Sequence, residues 1–154
     1  MTRFTVFGKS LDANEQQALR KFAEQAAGKG DEVSFAASIG EPDPSVDSEV
    51  VLVLGTASTC ASADLANDLQ LAANGARRII WVWPEGVGEC ELPSVVRTYA
   101  YSIIVWNVGK LKSVAADDDA RCFEASTGEA LPKVETERNL CADVEAENPK
   151  AKTK

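Results

Sequence analysis

Two aspartates, Asp64 and Asp68, stand four residues apart in a segment with helical patterning, Ser62-Ala-Asp-Leu-Ala-Asn-Asp-Leu-Gln-Leu-Ala-Ala-Asn74. Four residues is little more than one helical turn, so both carboxylates fall on one face. Two carboxylates close together in a cleft repel one another. One pKa then rises, and the pair can act as general acid and base. The alternative is that of any two charges on a solvated helix face. Just upstream, Gly55-Thr56-Ala57-Ser58-Thr59-Cys60 offers hydroxyls and a thiol. Thr56, Ser58 and Thr59, with Ser10 in an earlier loop, either donate to a ligand such as a phosphate or satisfy their own loop backbone. Cys60 stands at a helix entrance, where a thiolate is favoured; an inert buried thiol is the other reading. The chain has no histidine. Catalysis would therefore rest on carboxylates, a thiol, hydroxyls or backbone groups.

The elements that must position these residues are legible from hydropathy. Val50 to Leu54 and Ile79 to Trp83 are uninterrupted apolar runs that bracket the Asp64/Asp68 segment. Strands buried on both faces lose the polar/apolar alternation, so two such runs around one helix read as a βαβ unit. The loop after Gly55 then lies at the carboxyl end of a strand, where open α/β sheets bind ligands. Residues 3–7 form a first strand, and Asp12 caps a helix over 14–27, with Gln16 as a reciprocal partner. Residues 32–37 form a second strand, and 39–48, rich in proline and acid, a loop. Ser62 caps a helix over 63–74 whose buried stripe is Leu65, Leu69 and Ala72, widened by Leu71 and Ala73. A short helix from Pro93 to Arg97, a fifth strand over 101–106 and a last helix over 110–116 complete the series. The expected fold is a single flavodoxin-like, three-layer α/β domain over residues 1–116, with a five-stranded parallel sheet in the order 2-1-3-4-5. Residues 117–141 form a C-terminal extension with a possible hairpin around 126–129, and 142–154 a disordered, charged tail.

Composition narrows the function classes. The formal net charge is −8, and the basic clusters are Arg77-Arg78 and the tail lysines Lys150, Lys152 and Lys154. No basic stripe is present to displace phosphate counterions, which argues against nucleic acid and against an anionic membrane surface. No apolar run approaches the roughly 20 residues that span a bilayer. The opening residues are too mixed for a signal peptide, so the expectation is a cytoplasmic protein with reduced thiols. Cys60, Cys90, Cys122 and Cys141 show no C-x-x-C spacing, and without histidine no metal site is expected.

Several small α/β families fail at their diagnostic positions. Leu54-Gly55 stands where a phosphoacceptor receiver domain carries aspartate. Cys60 is not followed by arginine at the phosphatase spacing. Gly8-Lys9-Ser10 lacks the first glycine of a Walker loop, and a Rossmann fingerprint is absent. The pattern Val51-Leu-Val-Leu-Gly55, a loop with serine, the helix bearing Asp68-Leu69-Gln70-Leu71-Ala72, then Gly75 and Ile79-Ile-Trp-Val-Trp-Pro84 resembles Toll/interleukin-1 receptor (TIR) domains. Phe4-Thr5-Val6-Phe7, the loop to Asp12 and the helix before Glu32-Val33 are similar to the opening of that family, so the resemblance covers about residues 3–106. It implies either cleavage of NAD at the nicotinamide–ribose bond or assembly with other TIR domains. The family's catalytic glutamate corresponds to Asp68, one methylene shorter, with Asp64 one turn earlier. Nucleoside deoxyribosyltransferases, which share this sheet and a helix carboxylate, are resembled to a similar degree. The implied function is a nucleotide-recognising module with NAD or a nucleoside as substrate or ligand. Its ligand would lie across loops 8–12, 55–62 and 84–91, held by the serine and threonine hydroxyls. The alternative is a non-catalytic interaction module, such as an adaptor, immunity or inhibitor protein, with a protein partner or self-association.

Overall fold

The central strand explains the rest of the architecture. In β3 (Ser48–Leu54), Val50, Val51, Leu52, Val53 and Leu54 are all buried. Val50, Leu52 and Leu54 point to one face and Val51 and Val53 to the other. A strand with no polar face must be covered on both sides. The computed structural model, which describes residues 2–9, 11–37, 48–74, 77–84, 91–116, 121–125, 127 and 130–131, shows how this is done.

The sheet contains β1 (Thr2–Phe7), β2 (Glu32–Ala36), β3, β4 (Arg78–Val82) and β5 (Ser102–Ile104), all parallel, in the order β2-β1-β3-β4-β5. This is the expected flavodoxin-like arrangement. Helices α1 (Ala13–Ala26) and α5 (Val108–Ala116) cover one face, packing Leu19, Phe22, Leu111 and Val114 on Phe4, Val6, Leu52 and Ile80. The opposite face is covered by α3 (Leu65–Asn74) and α4 (Ser94–Tyr99), whose Leu65, Leu69, Ala72 and Val96 pack on Phe7, Val51, Trp81 and Ile103. Trp81 and Trp83 share this face in an edge-to-face contact with centroids 5.8 Å apart. Among the described residues no helix is long and apolar enough to cross a membrane.

Local chemistry departs from the sequence expectation at several ends. Asp12 does cap α1, but its reciprocal partner is Glu15, not Gln16. The Gln16 amide instead donates to the Gly8 and Leu11 carbonyls and closes the β1 loop. Ser62 does not open the third helix. A separate short helix, α2 (Ala57–Cys60), comes first, capped by the Thr56 hydroxyl, and α3 starts only at Leu65. Leu71 faces solvent at 42% exposure rather than widening the buried stripe. Strand β5 stops at Ile104, and Trp106 leaves the strand to stack on Phe22 with ring centroids 4.3 Å apart. Arg77 ends α3 by donating to the carbonyls of Leu71 and Ala72.

After α5 the chain returns to the sheet edge. Ile103 donates to the Cys122 carbonyl at 2.8 Å, Glu124 donates back to Ile103 at 2.8 Å, and Glu124 forms an antiparallel bridge with Ala130. The buried Glu124 carboxylate accepts from the Val105 N–H and pairs with Lys110. The segment thus covers a β5 edge that would otherwise offer unpaired backbone. The loop at 39–47, most of the loop at 84–91, the acidic run at 117–119 and the tail at 142–154 lie outside the described residues.

Because Leu52 is fully enclosed and Leu71 is not, their truncations separate. Leu52→Ala should lower the unfolding free energy by about 2–5 kcal/mol, and Leu71→Ala by no more than about 0.5 kcal/mol. Urea unfolding of the two variants beside the wild type checks this.

Candidate functional site at the strand switch point

The chain leaves β1 toward α1 on one face and leaves β3 toward α3 on the other. Neighbouring strands whose connections diverge in this way open a crevice at their carboxyl ends. Both strands end there in glycine. A Cβ on Gly8 would stand 2.0 Å from the Phe35 ring, and one on Gly55 would stand 2.6 Å from Trp81 Nε1. Each glycine therefore lets an aromatic ring close over the strand end, where any side chain would collide.

Lys9 spans this crevice. Its ammonium, in the turn after β1, donates to Asp64 Oδ2 at 2.9 Å and to Asp68 Oδ2 at 3.3 Å. The two aspartates lie in different surroundings. Asp64, immediately before α3, keeps 65% of its side chain exposed. Asp68, one turn into the helix, is buried at 6% exposure beside Leu65 and Leu69. Its N–H donates to the Asp64 carbonyl at 2.9 Å, which fixes the spacing of the two groups. Neither sequence alternative describes Asp68 fully: it is not solvated, and a cation rather than repulsion links it to Asp64. The lysine pKa is raised above 10.5, chiefly by its hydrogen bond to Asp64, against an opposing desolvation and with help from Asp68.

The loop residues divide. Thr56 and Thr59 are both buried, their hydroxyls 3.0 Å apart, and Thr56 Oγ1 also accepts the Thr59 N–H, so together they hold α2. Ser58 faces solvent on that helix. Ser10 lies outside the described residues. The structure thus brings Asp64 and Asp68 together with Lys9 and directs Thr56 and Thr59 inward. Lys9 itself was not singled out in the sequence, where Gly8-Lys9-Ser10 drew notice as an incomplete Walker loop and as part of the ligand loop 8–12. Its signal was positional: a cation directly after the first strand, facing the loop after the third.

Cys60 corrects a further expectation. It is disulfide-bonded, so neither a free thiolate nor an inert thiol describes it, and the thiols are not all reduced. Its sulfur lies 3.7 Å from the main-chain oxygen of Glu91, which places the end of α2 against the chain that enters α4. Cys122 is free, and burial pushes its thiol pKa up. The Trp81 indole N–H, buried against Gly55, has no hydrogen-bond partner among the described residues.

No protein-family model, curated protein or solved structure matches this chain.

The Lys9 interaction has a pH signature. A folded-state pKa above the unfolded value contributes stability that is fully present below pH 10.5 and lost as pH rises through the raised value. Lys110, raised by its hydrogen bond to Glu124, adds a second contribution on the same alkaline limb. The thermal midpoint of Lys9→Met should therefore fall less steeply than wild type above about pH 10, and that of the Lys9→Met/Lys110→Met double variant less steeply still. Scanning calorimetry across that range checks both.

Proposed function

We propose that this chain is a small-molecule recognition module whose ligand, a nucleoside or nucleotide, sits in the crevice between the β1 and β3 loops. The observation that carries the reading is the convergence of Lys9, Asp64 and the buried Asp68 at the strand switch point. Keeping a carboxylate out of water is costly, and such groups concentrate at functional sites. The TIR-like pattern in the sequence supports the same location and adds NAD to the candidate substrates.

In a cleavage of a glycosidic bond, positive charge develops on the ribose as the bond to the base loosens. Asp68 would face that charge, and a carboxylate in a closed site is worth far more there than in water. Lys9 neutralises Asp68 in the free protein. Asp64, already 2.9 Å from the ammonium, gives Lys9 an alternative partner, so Asp68 can be released without leaving the lysine unpaired. Ser58, exposed on α2, would offer its hydroxyl to a sugar; those of Thr56 and Thr59 serve the helix.

A second reading, a non-catalytic interaction module with a protein partner or a second copy of itself, draws support from the same contact. An aspartate already neutralised by lysine can equally fasten the β1 loop to α3 as part of a rigid scaffold. The cytoplasm expected from sequence rested on the absence of a signal-like opening, and reduced thiols followed from it; a disulfide-bonded Cys60 is more usual in an oxidising compartment.

Amide-shift titrations with NAD, ADP-ribose and a panel of nucleosides test the site. Shifts confined to residues 8–12 and 55–68 are expected, and silence at millimolar ligand favours the interaction module. If the wild type releases nicotinamide or free base, Asp68→Asn should lower turnover by about two orders of magnitude or more with an unchanged fold. Absence of any release over a day at high protein concentration removes the enzymatic form of the proposal.

A further inference from the structure

We infer that the crevice selects a nucleoside over its phosphate ester, and that the Trp81 indole N–H is the donor its ligand meets. The inference rests on the proposal above that a nucleoside or nucleotide binds there. Its first support is the charge at the strand ends. One ammonium, Lys9, faces two carboxylates, Asp64 and Asp68, which leaves the cluster at a net charge of −1. Asp12 caps α1 nearby, and Glu91 lies where the chain enters α4. The positive end of the α3 dipole, which elsewhere attracts phosphate, is met by the helix's own Asp64 and Asp68. A phosphate monoester carries close to two negative charges at neutral pH. Here it meets repulsion, and the nearby lysine is already shared by two acids. The hydroxyls and base of a nucleoside meet no such penalty, because aspartates accept hydrogen bonds from ribose.

The second support is independent of charge. Trp81 is fully enclosed on β4, yet its indole N–H has no partner among the described residues. The edge of the ring that carries Nε1 lies against Gly55, the first residue of the loop that leads to α2 and Asp64. Buried donors are almost always satisfied, and one left unpaired at a strand switch point marks where a ligand acceptor is wanted. A base carbonyl, a ring nitrogen or a ribose oxygen supplies one.

The test uses the full chain, labelled with nitrogen-15. Its three tryptophans give three indole signals, and that of Trp81 is assigned by its through-space contact with Gly55. Adenosine, uridine and nicotinamide riboside are each titrated beside their 5′-monophosphates. The expected result is that at least one nucleoside moves the Trp81 indole together with backbone amides in 55–68. It should bind at least about tenfold more tightly than its monophosphate, since even one of the ester's two like charges at contact distance implies that much. Asp64→Asn, which removes an exposed charge, should narrow that ratio, and so should added salt. A monophosphate that binds as tightly as its nucleoside overturns the inference, as does a Trp81 indole unmoved at saturation; either result leaves the crevice as the binding site. Silence from all six compounds overturns the inference, and silence from NAD and ADP-ribose as well removes the proposed function with it.

Discussion

The constraint on which this molecule depends is that β3 has no side that can face water. Five consecutive buried residues, Val50 to Leu54, alternate between two apolar layers. Each such side chain contributes about 1.5–3 kcal/mol when enclosed, and enclosure on both faces requires helices on both faces. The connection after β1 supplies one cover and the connection after β3 the other. The two chains must part at the carboxyl ends of adjacent strands, and the crevice between them follows from that parting. The candidate site is thus a consequence of how the core is covered.

What occupies the crevice is set by a few short-range choices. The capping box of Asp12 with Glu15 and the Gln16 amide hold the turn that carries Lys9. The Thr56–Thr59 pair holds the turn that leads toward Asp64. Leu65 and Leu69 bury one face of α3 and carry Asp68 inward between them. At the opposite end of β3, Glu49 accepts from Thr5 at 2.6 Å and lies 3.9 Å from Arg77, so a second buried polar group is satisfied across β1 and β3. The far edge of the sheet is closed by Glu124, whose carboxylate joins Val105 and Lys110 while its carbonyl accepts the Trp83 indole N–H at 2.9 Å. Against that background the Trp81 indole beside the crevice, unpaired among the described residues, is the exception.

The sheet order, and with it the switch point that the candidate site occupies, was legible in the sequence because continuous apolar runs have one meaning in a small α/β chain. Asp68 was legible as a candidate by its place on the helix after the third strand, though not its burial: a carboxylate flanked by Ala66, Asn67 and Gln70 looks like a surface residue until the stripe through Leu65 and Leu69 is oriented. Lys9 was not legible, since its importance comes from a contact 59 residues away. Helix α2 was missed because four residues are too few to show a period. The fifth strand was drawn too long because Val105 and Trp106 are apolar but serve the layer beside the sheet. The state of Cys60 could not be read from spacing, because four cysteines allow several pairings and the chain offers no C-x-x-C.

The central claim is that Lys9 and Asp68 act on one another across the crevice between β1 and β3. A double-mutant cycle of Lys9→Met and Asp68→Asn, read by urea unfolding at neutral pH, measures this directly. The two changes should be non-additive, with the double variant more stable than the sum of the single losses predicts. The coupling should stand outside the additivity error of about 0.3–0.5 kcal/mol and exceed that of the cycle with the exposed Asp64. Strict additivity of Lys9→Met and Asp68→Asn would contradict the account.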